Sequence, residues 1–115
     1  MDRWKKIQLE LARTSGFPNG SVSRGYLLQL PLDAHGRVDR TALALRPHRA
    51  TVRRYWSTEP DEVGLVVATG EAWAMRCTGS PDRTLVLRRP LEAGEQLFVV
   101  DPDGAALPFT IASIR

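Results

Sequence analysis

Turn-forming residues cut this chain into short apolar pieces about every ten positions, and that punctuation constrains the fold more than anything else in it. Thr14-Ser15-Gly16-Phe17-Pro18-Asn19-Gly20-Ser21, Asp33-Ala34-His35-Gly36, Thr69-Gly70-Glu71, Gly79-Ser80-Pro81-Asp82 and Asp101-Pro102-Asp103-Gly104 all carry turn chemistry. The segments between them mostly alternate apolar and polar residues, the two-residue period of a half-buried strand.

Residues 6 to 13 place Ile7, Leu9 and Leu11 on one face and Gln8 and Glu10 on the other. A helix is the rival there, but at helical spacing Leu9 falls off the Trp4/Ile7/Leu11 stripe, so a strand is expected. Tyr26, Leu28, Leu30 and Leu32 share the next face, with Pro31 ending that strand or confining it to an edge. Val63 to Ala68 and Ala72 to Thr78 read as a hairpin, and Thr84 to Arg88 as a further strand. Gln96 to Val100 and Leu107 to Ile114 flank Asp101-Pro102-Asp103-Gly104, whose Asp, Pro and Gly suit the first, second and fourth positions of a type I turn. One helix is expected, from Asp39 as cap to about Arg46, with Leu43 facing inward and Pro47 closing it. Ser57 to Glu62 reads as a polar, acidic loop.

Such a chain makes a mainly β domain: a small antiparallel, partly open barrel or sandwich of about seven strands, with one short helix plugging an end. At 115 residues, 43% hydrophobic and 25% charged, it has the composition of one globular domain spanning 1–115.

The segment Arg46-Pro47-His48-Arg49-Ala50-Thr51-Val52-Arg53-Arg54-Tyr55-Trp56 holds most of the recognition chemistry. As a strand it sends Thr51, Arg53 and Tyr55 one way and Val52, Arg54 and Trp56 the other, so each face carries an arginine and an aromatic ring. Arg49, Arg53, Arg54, Tyr55 and Trp56 are therefore the candidate ligand-binding residues, since arginine and aromatic rings recur at binding hot spots. The competing reading makes Val52 and Trp56 core, lets Arg54 snorkel, and pairs Arg53 with Glu59, Asp61 or Glu62. Arg88-Arg89 extends the basic character.

Charge does not choose the partner. The pI is about 9.6, yet sixteen basic residues face thirteen acidic ones for a net +3. Fourteen of the sixteen are arginine. A protein or a small anionic ligand is the expected partner of a non-enzymatic binding module. Single-stranded nucleic acid, bound along 46–56, is the alternative, though such binders usually carry several stacking platforms and more charge.

No catalytic constellation is expected. His35 and His48 are the only imidazoles. Cys77 beside Arg76 reads as a small packed residue rather than a nucleophile. Asp33, His35 and Asp39 lack the spacing of a zinc motif, and Asp101-x-Asp103-Gly104 misplaces the glycine of a calcium loop and puts Ala112 where its glutamate belongs. No metal or cofactor is expected. One cysteine forms no internal disulfide, neither end has the continuous apolar core of a signal peptide, and no apolar run is long enough to cross a bilayer as a helix. The expectation is a cytoplasmic protein with no membrane partner.

Glu10-Leu11-Ala12-Arg13, Gly25-Tyr26 with Pro31-Leu32-Asp33, Thr51 to Trp56, and the closing hairpin from Gly94 through Asp103-Gly104 to Phe109 together resemble a family of small uncharacterised bacterial proteins. That family has no established activity, so the resemblance implies no function and no site. The hairpin alone is similar to the closing strands of small barrels in translation factors and flavin reductases.

Overall fold

A computed structural model describes residues 3–115. Eight strands follow one another around a closed antiparallel barrel: β1 (Trp4–Leu11), β2 (Ser21–Pro31), β3 (Thr51–Trp56), β4 (Glu59–Thr69), β5 (Ala72–Cys77), β6 (Arg83–Val86), β7 (Gln96–Val100) and β8 (Ala106–Ile114). Each strand pairs with its neighbours in sequence, and β8 returns to β1, where Ile7 pairs with Ile114 and Leu11 with Phe109. Closure leaves no sheet edge for another strand to join.

The alternation read from the sequence is what fills the interior. Ile7, Leu9 and Leu11 from β1 meet Tyr26, Leu28 and Leu30 from β2. Leu97, Val99, Phe109 and Ile111 close the other side, and Tyr26 meets Phe109 edge to face at 5.2 Å between ring centroids. Gly25 and Gly64 sit where strands come too close for a side chain. A Cβ at Gly25 would lie 1.9 Å from the Leu9 carbonyl oxygen, and one at Gly64 would lie 1.9 Å from that of Arg76.

The barrel has two unlike ends. At the helix end, the long β2–β3 connection holds the six-residue α1 (Arg40–Leu45) and one 3-10 turn (Pro47–Arg49). Asp39 caps α1 by accepting the Ala42 amide at 3.0 Å, and Leu43 is buried as the plug. The Gly70-Glu71 turn and the connection 87–95 lie at this same end. At the turn end, residues 12–20, 57–58, 78–82 and 101–105 join the strands, and Gly104 takes a positive φ as it donates to the Asp101 carbonyl at 2.8 Å.

Three boundaries differ from the sequence reading. β2 begins at Ser21 rather than near Tyr26, because the irregular pairing between Glu10↔Gly25 and Leu11↔Ser21 accommodates residues with no apolar alternation. The expected acidic loop 57–62 is a two-residue turn followed by strand: β4 starts at Glu59, and Glu62 pairs with Arg54. The alternation is concealed there because the partner on β3 is a buried arginine rather than an aliphatic residue. β6 stops at Val86, two residues short, because Leu87 and Arg88 leave the sheet.

Candidate functional site

The five candidate residues of the basic-aromatic stretch do not share one surface. Arg49 lies at the helix end with its guanidinium over Trp4, 4.7 Å from the ring centroid. Arg53 is on the outer face of β3, 3.7 Å from the Asp61 carboxylate. Tyr55 is half-buried and donates its phenol to the Leu9 carbonyl at 3.1 Å while accepting from Gln8 at 3.4 Å. Burial raises its pKa. Arg54 points inward and is only 7% exposed. Trp56, half-buried, packs on the core with the Arg54 and Arg24 guanidiniums over its ring at 4.4 and 5.9 Å.

Arg54 belongs to an ionic network inside the turn end. Its Nη1 donates to Glu59 at 3.1 Å and to Glu62 at 3.2 Å. Arg83 donates to the other oxygen of Glu62 at 3.2 Å and to Asp101 at 3.3 Å. Burial pushes the Glu62 carboxyl up, but hydrogen bonds from Ser80 and Arg83, and the charges of Arg83 and Arg54, outweigh it and leave its pKa lowered. Tyr26 lies beneath the network, and its burial, opposed by the charges of Arg83 and Arg54, pushes its pKa up to about 12. The network ties β3, β4, β6 and the turn after β7 together. Each of its arginines already faces two carboxylates, although Arg54 Nε is buried without a hydrogen-bond partner, so the network offers an anion little.

Cys77 is buried in the same half of the barrel. Burial, with Glu62 adding to it, raises its thiol pKa, which is opposite to what an activated nucleophile needs. His35 and His48 are exposed at the helix end, in the 33–36 turn and the 3-10 turn. Among the described residues, no three of His, Cys, Asp and Glu gather into a group that could hold a metal ion.

The helix end contains a different arrangement. β6 pairs with β7 only through Thr84↔Val100, Leu85↔Val99 and Val86↔Phe98. The chain then crosses to the 33–36 turn, where the Leu91 amide donates to the Gly36 carbonyl at 2.8 Å and Leu91 is buried. Gly36 takes a positive φ there, and a Cβ would come within 3.0 Å of the Leu91 carbonyl oxygen. The return leg is held by the Gly94 amide donating to Ile111 and the Ile111 amide donating to Glu95, both at 2.8 Å.

This excursion holds open a groove of about 610 Å³, walled by apolar residues including Val86, Leu97, Phe98, Val100 and Ala106. A second hollow of about 220 Å³ shares Leu87, Arg88, Arg89 and Leu91 with the groove and adds Gly36, Arg37, Val38, Arg40 and Trp73. The two adjoin along residues 87–91 and together make up the helix-end cleft. Arg40 is held over buried Trp73, 4.6 Å from the ring centroid, and donates to the Gly70 carbonyl at 3.4 Å. No carboxylate lines the smaller hollow. Among the described residues, Arg37, Arg40, Arg88 and Arg89 enter no ion pair. Nearby Asp33 is engaged by the Arg37 and His35 amides, which lower its pKa, and Asp39 is engaged by the Ala42 amide and Arg3.

Of these residues the sequence points only to Arg88-Arg89, as an added patch of basic character. Arg37 and Arg40 stand some fifty positions earlier and carry no local signal that they meet it. Comparison of the chain with protein-family models, with curated proteins and with solved structures finds no match.

Proposed function

We propose that this chain is a non-enzymatic binding module whose helix-end cleft takes a small anionic ligand. The observation that carries this reading is the convergence of Arg37, Arg40, Arg88 and Arg89 on one hollow that no carboxylate lines. Gathering like charges raises the free energy of the unliganded protein, and an anion placed among them relieves that cost. Guanidinium groups suit the task, since their planar forks match the oxygens of a carboxylate or phosphate. A cleft of several hundred Å³ beside a few convergent polar groups has the size and make-up of small-ligand sites. A reducing cytoplasm is the setting that the lone buried thiol supports.

An amide-resolved NMR titration with inorganic phosphate and with citrate tests the reading. Saturable shifts at Arg37 to Arg40 and at Leu87 to Leu91, weakened by added chloride, are the expected result. Their absence, or shifts scattered over all exposed arginines, overturns it. The same titration with short single-stranded DNA and RNA at two salt concentrations tests the alternative partner. Salt-sensitive shifts centred on Arg49 to Trp56 would move the site to β3.

A further inference from the structure

The shape of the cleft says more about its ligand than its charge does. We infer that the occupant is a soluble anionic amphiphile, a carboxylate or phosphate head carried on an alkyl tail; this rests on reading the helix-end cleft as an anion site. The smaller hollow is basic, the larger groove is mainly apolar, and Leu87, Arg88, Arg89 and Leu91 border both. A head held by Arg88 and Arg89, which line both, has the groove within reach of its substituent. The groove has nearly three times the volume of the hollow, so the tail is the larger part of the ligand.

Two further features give the ligand a direction. Glu95 is the one carboxylate lining the groove, and it repels an anionic head from there. Arg40, steadied by Trp73 and the Gly70 carbonyl, anchors the basic hollow. Phe98 is 46% exposed on the groove wall, a large apolar side chain that the filled barrel interior does not use. A tail covering it removes apolar area from water. The site is an open groove bordered by the 87–95 excursion rather than a flat face, which suits a single dissolved amphiphile over a membrane surface.

The test is calorimetric binding of the intact protein to inorganic phosphate and to n-alkyl phosphates of two to ten carbons, each below its micellar concentration. Affinity rising about two- to fourfold per added methylene until the groove is filled is the expected result. Phosphate and all alkyl phosphates binding equally would overturn the amphiphile assignment while leaving the anion site standing. No binding by phosphate or by any homologue would remove both. Phe98→Ser should flatten the chain-length dependence and leave phosphate affinity unchanged, whereas the pair Arg88→Ala and Arg89→Ala should weaken every homologue by a similar factor. An alkyltrimethylammonium ion of equal length should not bind, and equal binding by it would overturn the recognition of the head. Co-sedimentation with phosphatidylglycerol vesicles should be absent. Partition onto vesicles without binding of the monomeric alkyl phosphates would overturn the soluble ligand in favour of a lipid surface.

Discussion

The two ends of this barrel use the same residue in opposite ways. At the turn end, Arg54 and Arg83 are drawn inside the sheet and meet Glu59, Glu62 and Asp101 at 3.1 to 3.3 Å. Arg76 on that rim meets Asp82 at 2.9 Å. At the helix end, Arg37, Arg40, Arg88 and Arg89 gather round a hollow without a carboxylate. An arginine buried with its counter-charge is committed to holding strands together. One left among like charges in a cleft is available to something outside the chain. Residue type alone distinguishes neither case, and the count of basic residues is a poor guide to binding for the same reason.

Removing arginines from each end in turn is the sharpest way to break the comparison. Arg54→Leu leaves Glu62, only 19% exposed in its side chain, facing Glu59 without one of its two cations. The variant should lose about 2 kcal/mol in urea denaturation, the scale of a lost charge-assisted hydrogen bond, because Arg83 still faces Glu62. Arg88→Ala with Arg89→Ala should leave stability within about 0.5 kcal/mol of the parent, since surface changes away from packed features do little. Equal losses at the two ends would erase the distinction.

The pH dependence of stability sharpens the turn-end side. Tyr26 keeps its proton up to about 12 when folded, against 10.0 as the ordinary value. Between those limits the unfolded chain binds fewer protons, so stability falls as pH rises, at up to about 1.4 kcal/mol per pH unit. Tyr26→Phe should reduce that slope in denaturation series run at pH 9 to 12, leaving the part that Tyr55 and Cys77, also raised by burial, contribute. Glu62 works with the opposite sign. Its folded pKa lies below 4.5, so the stability it contributes is present above 4.5 and is lost as pH falls through the depressed value. Glu62→Gln should lower stability at pH 7 and shrink the difference at pH 3.

On the helix-end side, the Arg88→Ala, Arg89→Ala pair should weaken phosphate binding about tenfold, about 1.4 kcal/mol, by calorimetry. The smallest effect belongs to the exposed outer face. Arg53→Ala breaks only a solvent-exposed contact with Asp61 and should shift the denaturation midpoint by less than about 0.5 kcal/mol. A larger effect there would mean that the outer face of β3 carries a role that the two ends do not account for.

Much of the architecture was legible because its causes are local. Ile7, Leu9 and Leu11 alternate because β1 has one wet face, and Asp101-Pro102-Asp103-Gly104 turns because of its own backbone preferences. Asp39 caps α1 as a helix start from that residue implies. The reading stumbled where a polar residue took an inward position. Glu59 to Glu62 looked like a loop because the carboxylate of Glu62 faces a buried guanidinium. The basic-aromatic stretch was conspicuous as a cluster along the chain, but alternation sends its members to different faces, and nearby carboxylates, rings and carbonyls engage them.

What the sequence by itself determined here is a run of short antiparallel strands, their turns and one capped helix, all set by interactions between residues a few positions apart. Tertiary structure alone decided that eight strands close into a barrel, that Arg54 and Arg83 find carboxylates, and that Arg37 and Arg40 meet Arg88 and Arg89 across fifty positions of chain. The reason is physical. Backbone preference acts between sequence neighbours, whereas charge and burial act through space, and the partner of each arginine depends on where the sheet register and the 87–95 crossing bring the chain back.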